Sequence, residues 1–360
     1  DLFFVISGLV MVHTTSDRPV RPGEFIVNRL IRIVPLYWAA TLAIYAIALI
    51  APTFVKATGT AVDELVKSLL FIPFRKSNGL IQPVLFPGWT LNYEMFFYVL
   101  FAAGLAMRSV VLRVTLVCSV LAAFVAVGAV FTPAGAIGQF YASPLVLEFG
   151  YGMTIGLIVP RLRPHPVAGV LAGMAIAAGI GWIVLYPQVV PVVPLRVVSI
   201  GLPAAAVVLG AIQLERQGYV WQHPGMLLLG AASYALYLTH PFVLTALEKT
   251  AVSLGFTHGM LLAGVMIVSM ALAIGVAVAI NLVFERPVDR YLRRRFGRAR
   301  GLAAQSEAAA LWPWRQGRDE DTSQCGPAQL STAKLAGRNG AVGDVKRVNS
   351  RPIDDDVDRG

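Results

Sequence analysis

Residues 259–284 read GMLLAGVMIVSMALAIGVAVAINLVF, without one Asp, Glu, Lys or Arg, and residues 285–296 follow as ERPVDRYLRRRF. An uncharged run of this length is what a hydrocarbon core of about 30 Å requires of a crossing helix. The basic cluster after it is what holds a helix end on the cytoplasmic side. Similar runs recur at 1–14, 33–51, 89–107, 110–131, 142–160, 166–186, 195–213 and 226–248. The expected fold is therefore all-α, a polytopic transmembrane bundle of about nine spans. The run 1–14 is too short to cross alone and is expected to be a helix cut at its start.

Composition supports this reading. The chain of 360 residues is 56% hydrophobic and only 14% charged, against about 25% charged in a soluble domain. The net charge of +10 would suggest nucleic acid in a soluble protein. Here the arginines flank apolar runs, so the partner they imply is the lipid bilayer, and no nucleic acid is expected. The two cysteines, Cys118 in an apolar run and Cys325 near the end, predict no disulfide framework.

Alternation gives an orientation. With the loop after the first run inside, Arg18, Arg21, Arg29 and Arg32 lie inside, as do Arg108, Arg161 with Arg163, Arg216, and the cluster from Arg286 to Arg295. The outer turns 132–141 and 187–194 hold no Lys or Arg. The segment 52–88 dissents, with Lys56, Lys67, Arg75 and Lys76 on the outer side, partly balanced by Asp63 and Glu64. Residues 297–360 are polar and Gly-rich without sustained periodicity, which predicts a disordered cytoplasmic tail. No internal repeat is evident, which weighs against an inverted-repeat transporter.

Ionisable groups inside a span cost at least about 2.5–3.5 kcal/mol and so point to function. In PGWTLNYEMFFY, residues 87–98, Glu94 shares a helix face with Thr90 and Tyr98 at i, i+4, i+8. The alternative is an interfacial glutamate, with Trp89 and Tyr93 as belt aromatics. In SYALYLTHP, residues 233–241, Ser233, Tyr237 and His240 form one stripe beside Tyr234, and Pro241 is expected to kink the helix. Hydrogen-bonded helix packing is the competing explanation. Arg29 and Arg32 share a helix face at the inner end of the run 33–51. They are either positive-inside anchors or a clamp whose guanidinium forks suit phosphate. Ser7 and Gly8 are read as small residues that permit close helix approach. No metal-ligand spacing, phosphate loop or nucleophile elbow is present.

The segments DLFFVISGLVM, NRLIRIVPLYW, FPGWTLNYEMFFY, SYALYLTHPFVL and FERPVDRYLRRR occur in this order. In this the chain resembles the acyltransferase 3 family of membrane O-acyltransferases, and in particular its exopolysaccharide acetyltransferases, over about residues 1–295. The resemblance implies a bundle of about ten helices, with 1–296 as the acyltransferase-like domain lacking its first helix. It implies transfer of an acetyl or other acyl group from cytoplasmic acyl-CoA to a carbohydrate hydroxyl at the bacterial inner membrane. Acyl-CoA is then the donor substrate and no cofactor is bound. Arg29 and Arg32 match the family's Arg-x-x-Arg motif on the acyl-CoA side. Trp89, Tyr93 and Glu94 match its Gly-Trp-x-Leu-x-Tyr-Glu stretch, and Ser233, Tyr234, Tyr237 and His240 match its tyrosine-histidine stretch. Glu94 and His240 are the candidate catalytic residues, and the others named are candidates for binding substrate. Family members carry a further helix before DLFF, with an arginine and a histidine assigned to catalysis, so the expectation is that this sequence alone is inactive. Two other classes fit intramembrane Glu and His: a glycan or lipid transporter, and a non-catalytic subunit of a polysaccharide export system.

Overall fold

The structure is a computed structural model that describes residues 1–16, 19–51, 60–131, 133–162, 165–185, 193–219, 223–255 and 259–296. The predicted tail 297–360 lies outside these residues. Each apolar run becomes helix: α1 (Leu2–Ser16), α2 (Pro22–Ile50), a short α3 (Val62–Leu69), α4 (Gly88–Gly104), α5 (Val110–Phe131), a short α6 (Ala136–Tyr141), α7 (Leu147–Ile158), α8 (Pro166–Leu185), a single turn α9 (Val193–Arg196), α10 (Leu202–Arg216), α11 (Pro224–Ser253), α12 (Gly259–Ile280) and α13 (Arg286–Phe296). Among the described residues the only extended pairing is an isolated bridge between Arg75 and Ile81. Six helical stretches are long and apolar enough to cross a membrane, among them Val197–Arg216 and Ala263–Phe296. α1, α4 and α7 are shorter, with 15, 17 and 12 residues.

The helix boundaries differ from the apolar runs for physical reasons. α2 begins at Pro22, eleven residues before its apolar run, because charged side chains do not interrupt a backbone ladder and Pro is suited to the first helical turn. Both α2 and α11 run through their internal prolines, Pro35 and Pro241. The run 142–160 divides into two 3-10 turns around α7, each with a proline near its start, Pro144 and Pro160. Two π-helical turns, Val197–Gly201 and Asn281–Glu285, interrupt the long helices at α9–α10 and α12–α13.

α4 is the central helix. Leu91, Phe97 and Phe101 are fully buried, and Phe97 stacks on Phe149 at 4.2 Å while Phe25 meets Phe101 at 5.4 Å. The outer ring is different: Val170, Leu171 and Met174 of α8 and Met266, Ile267 and Val268 of α12 are exposed. Apolar faces of that extent belong against lipid. α1 and α7 pack backbone against backbone. A Cβ on Gly8 would overlap the Phe149 carbonyl oxygen, and one on Gly152 would overlap that of Val5. Small residues there let two backbones touch.

Polar bonds sort the loops into two ends of the bundle. At one end Arg75 donates to Gly79 O at 2.7 Å and to Gln139, joining the connection before α4 to α6. Tyr37 OH and Trp38 Nε1 donate to the carbonyls of Ser68 and Leu69, fastening α3 to α2. Lys67 is paired with Asp63 at 2.8 Å, and that bond holds the Asp63 carboxyl below its usual range. Two of the basic residues that dissent from the charge rule, Lys67 and Arg75, are thus engaged locally. At the other end Arg113 Nη1 donates to Thr15 Oγ1 at 3.0 Å, Arg216 to Val159 O, and Gln217 to His165 O.

Candidate functional site: a buried glutamate joined to the arginine pair

Glu94 is 5% exposed on α4. Ser7 Oγ of α1 donates to its Oε1 at 3.3 Å, and Tyr98 OH donates to the same oxygen. Oε2 takes no hydrogen bond from the described residues. The carboxylate is thus fixed through one oxygen and open through the other. Ser7 therefore does more than allow close approach, while Gly8 beside it fills the small-residue role.

Tyr98 carries the cluster towards α2. Arg29 Cζ lies 5.8 Å from the Tyr98 ring centroid and 5.5 Å from that of Phe25, and its Nη2 donates to Thr14 Oγ1 at 3.4 Å. A guanidinium over aromatic faces gains electrostatic stabilisation with its edges still free to donate. Arg32 is exposed and Arg29 half-buried. Tyr98 therefore touches Glu94 through its hydroxyl and Arg29 through its ring. Replacing Tyr98 by Phe keeps the ring and deletes the hydroxyl donor to a buried carboxylate. Such a loss costs about 1–3 kcal/mol, so the variant should melt at a lower temperature in detergent. An unchanged melting point would show that the Tyr98 bond does not hold Glu94.

The α11 stripe reaches the same helix. Tyr237 OH lies 2.7 Å from Thr90 Oγ1 and donates to Pro87 O at 2.9 Å. Phe3 stacks on the Tyr237 ring at 6.1 Å. Tyr234 OH donates to Ile33 O of α2 at 2.7 Å, in the turn that bears Arg32. The two stripes therefore meet through Thr90 and Tyr237. His240 is half-buried and its Nδ1 lies 3.0 Å from Leu236 O. A carbonyl can only accept, so Nδ1 carries the proton and Nε2 is the basic nitrogen of the neutral ring. No hydrogen bond among the described residues joins His240 to Glu94. Ser233 is exposed and makes none to the cluster.

Trp89 and Tyr93 are built into the core beside the site. Tyr93 is 4% exposed and stacks on Phe140 at 3.9 Å; Trp89 meets both Tyr93 and Phe4 edge to face. Tyr93 is thus enclosed by other helices, while Trp89 is half-buried at the start of α4. An apolar groove of about 320 Å³ lies between α2, α11 and α12, lined by Leu36, Ala40, Ile44, Thr239, Phe242 and Phe284. It starts one turn beyond Arg32 and passes next to His240. Among the described residues no group of three His, Cys, Asp or Glu could hold a metal, and Cys118 is a free thiol.

Two features were not singled out from the sequence. Tyr98 was visible only as the third member of the Thr90, Glu94 repeat. Glu148 on α7 is fully buried, with both oxygens unpartnered by hydrogen bonds, and lies near an ion pair in which Arg196 Nη2 meets Asp1 Oδ2 at 2.7 Å. Its signal was the lone carboxylate in the apolar run 142–160.

The described residues form a helical membrane bundle with a carboxylate buried at its centre, and the comparisons with known proteins give its class. Residues 1–282 match the acyltransferase domain family, and the chain belongs to that family. It is also similar to the exopolysaccharide production protein ExoZ of Rhizobium meliloti (strain 1021), 36% identical over 307 residues, which covers 84% of this chain and 91% of that protein. No solved structure matches. The protein is thus a multi-pass membrane protein of an acyltransferase family.

Proposed function

We propose that this protein moves an acetyl or other acyl group from cytoplasmic acyl-CoA to a hydroxyl of an exported polysaccharide, in the bacterial inner membrane with its C-terminal tail in the cytoplasm. The observation that carries this reading is the buried Glu94 carboxylate held by Ser7 and Tyr98, with Arg29 over the Tyr98 ring and the exposed Arg32 one turn further along α2. The relative's printed role in exopolysaccharide production supports the acceptor class.

The chemistry divides between the two charges. The guanidinium forks bind phosphates of the CoA moiety, because planar paired donors match phosphate oxygens. The acceptor hydroxyl oxygen attacks the thioester carbonyl carbon, an ester bond forms, and the carbon–sulfur bond breaks. Glu94 Oε2 orients that hydroxyl and takes its proton, and the departing thiolate is protonated to free CoA. His240, with Nε2 as acceptor, lines the acceptor path.

In membranes containing the full-length protein, acetyl-CoA with the polysaccharide should yield free CoA thiol and O-acetyl groups on the glycan. Glycan flux into liposomes without acyl-CoA, and no thiol release, would refute the reading in favour of transport. Arg29→Lys and Arg32→Lys test the donor end. Lysine keeps the charge, so insertion should be unchanged, but it loses the fork. Acyl-CoA affinity should fall by about tenfold, the loss of one charge-assisted bond. Equal affinity in both variants would leave the arginines as anchors.

A further inference from the structure

Arg113 of α5 is 5% exposed and forms no ion pair among the described residues. Its Nε is buried without a hydrogen-bond partner there. Burying a guanidinium without a carboxylate is costly, so packing alone gives no reason for an arginine at this place. The terminal nitrogens give one. Nη1 donates to Thr15 Oγ1 at 3.0 Å and to Thr15 O at 3.4 Å, and Nη2 donates to Met107 O at 3.2 Å. Thr15 is in the last turn of α1, and Met107 lies just past the end of α4. One side chain thus bridges the C-terminal ends of two helices. Such ends carry unpaired carbonyls and the negative pole of the helix, which hold a cation without a carboxylate. α4 leaves room for the bridge: a Cβ on Gly104 would lie 3.1 Å from Arg113 Cγ, and the Phe101 ring sits 5.9 Å from Cζ.

The same two helices build the site. α1 brings Ser7 and α4 brings Glu94, and Ser7 is the donor that reaches Oε1 from another helix, since Tyr98 belongs to α4 itself. α1 packs chiefly against α7 and touches α4 little, so their shared surface does not fix how far one has slid along the other. Ser7 stands eight residues before Thr15, about 12 Å along the helix. With both C-terminal ends held by one guanidinium, the level at which Ser7 meets Glu94 is set. At 3.3 Å that bond has little slack, and a slide of about 1 Å would break it.

We propose that Arg113 is a positioning residue that sets the height of α1 against α4 and so delivers the Ser7 hydroxyl to Glu94. For its effect on turnover the proposal rests on the reading of Glu94 as proton acceptor, but the Ser7–Glu94 bond can be followed without any reaction.

The test uses the full chain in detergent and two readouts. The first is the infrared carboxyl band of Glu94, isolated as the difference between the wild type and Glu94→Gln, with Ser7→Ala giving its position when the donor is gone. Arg113→Met keeps an unbranched stem and removes the bonds to Thr15 and Met107, and it should move the band to the Ser7→Ala position. The second is thiol release from acetyl-CoA per folded molecule. Arg113→Met should lower it about tenfold, as for the loss of one hydrogen bond to a charged group, with acetyl-CoA affinity unchanged. In the Ser7→Ala background it should have no further effect, because both changes remove the same bond. Arg113→Lys, whose one ammonium keeps the charge at the helix ends, should recover part of the loss. Arg108→Gln removes a charge from an exposed residue nearby and should match the wild type in both readouts. A wild-type band position in Arg113→Met would overturn the proposal. So would equal losses of turnover in the wild-type and Ser7→Ala backgrounds, which would leave Arg113 a part in stability alone. If Arg113→Met does not fold, Thr15→Val, which removes the shorter of the two bonds to α1, decides: a band moved toward the Ser7→Ala position supports the proposal and an unmoved band overturns it. A wild type that releases no thiol would bring down the reading of the reaction, and the infrared band would then decide this proposal by itself.

Discussion

Glu94→Gln should lower acyl transfer by a factor on the order of a hundred or more, the range in which a positioned proton acceptor contributes, while leaving protein abundance near normal. Glutamine has the same shape. Its amide oxygen can still accept from Ser7 and Tyr98, the two donors that converge on Oε1. What it loses is the negative charge and the basicity of Oε2. Removing a buried charge costs little by itself, because burial in an apolar bundle opposes the charged form. The effect should therefore appear in turnover per folded molecule, measured as thiol release from acetyl-CoA against the amount of monodisperse protein. His240→Gln offers the companion measurement: it removes Nε2 as a base from a residue whose only hydrogen bond among the described residues is to its own helix. If either variant turns over at the wild-type rate, that residue takes no part in transfer. If either loses abundance and keeps its rate, it is packing glue, which bilayer measurements value at about 0.6 kcal/mol per bond.

The sequence made the helices legible and the site only in part, and the division has a physical cause. Hydrophobic run length is set by the bilayer, so nine apolar runs could be read and each became helix. Periodicity reports which residues share a face of one helix. It correctly grouped Thr90 with Glu94 and Tyr98, and Tyr237 with His240. It does not report which helices touch, so the bond between Thr90 and Tyr237 and the stacking of Phe3 on Tyr237 could not be foreseen. The depth of a charge was equally hidden. Arg29 and Arg32 stand at the edge of an apolar run and read either as positive-inside anchors or as a phosphate clamp. α2, however, starts at Pro22, which carries them two to three turns into a helix and sets Arg29 beside Tyr98, while Arg32 stays exposed. Ser7 was dismissed for the same reason: a serine in FFVISGL looks like a small residue until α4 is placed beside it. Glu148 was the clearer omission, because a carboxylate in an apolar run should have been weighed as Glu94 was.

The largest stability effect should come from the seam between α1 and α7. At Gly152 an added Cβ would overlap the Val5 carbonyl oxygen and lie 2.8 Å from Leu9 N, and at Gly8 it would overlap the Phe149 carbonyl oxygen and lie 3.0 Å from Met153 N. The obstacles are backbone atoms on both sides, which cannot swing away as a side-chain tip can. A helix would have to move. Gly152→Ala should therefore cost about 1–3 kcal/mol, the usual range for overpacking a tight core, and Gly152→Leu should leave little folded protein after detergent extraction. Gly173→Ala in α8 is the matched control, since nothing lies within 4 Å of a Cβ there. Alanine favours helix over glycine by about 1 kcal/mol, so this variant should melt at or above the wild-type temperature. The seam also bears on chemistry, because α1 carries Ser7 and so one of the two donors to Glu94 Oε1. Pushing α1 off α7 would pull that donor from the carboxylate, and the folded fraction of Gly152→Ala should show reduced turnover as well. A Gly152→Ala protein that melts and turns over like Gly173→Ala would mean that α1 is not held against α7 as described, and the position of Ser7 at Glu94 would lose its structural basis.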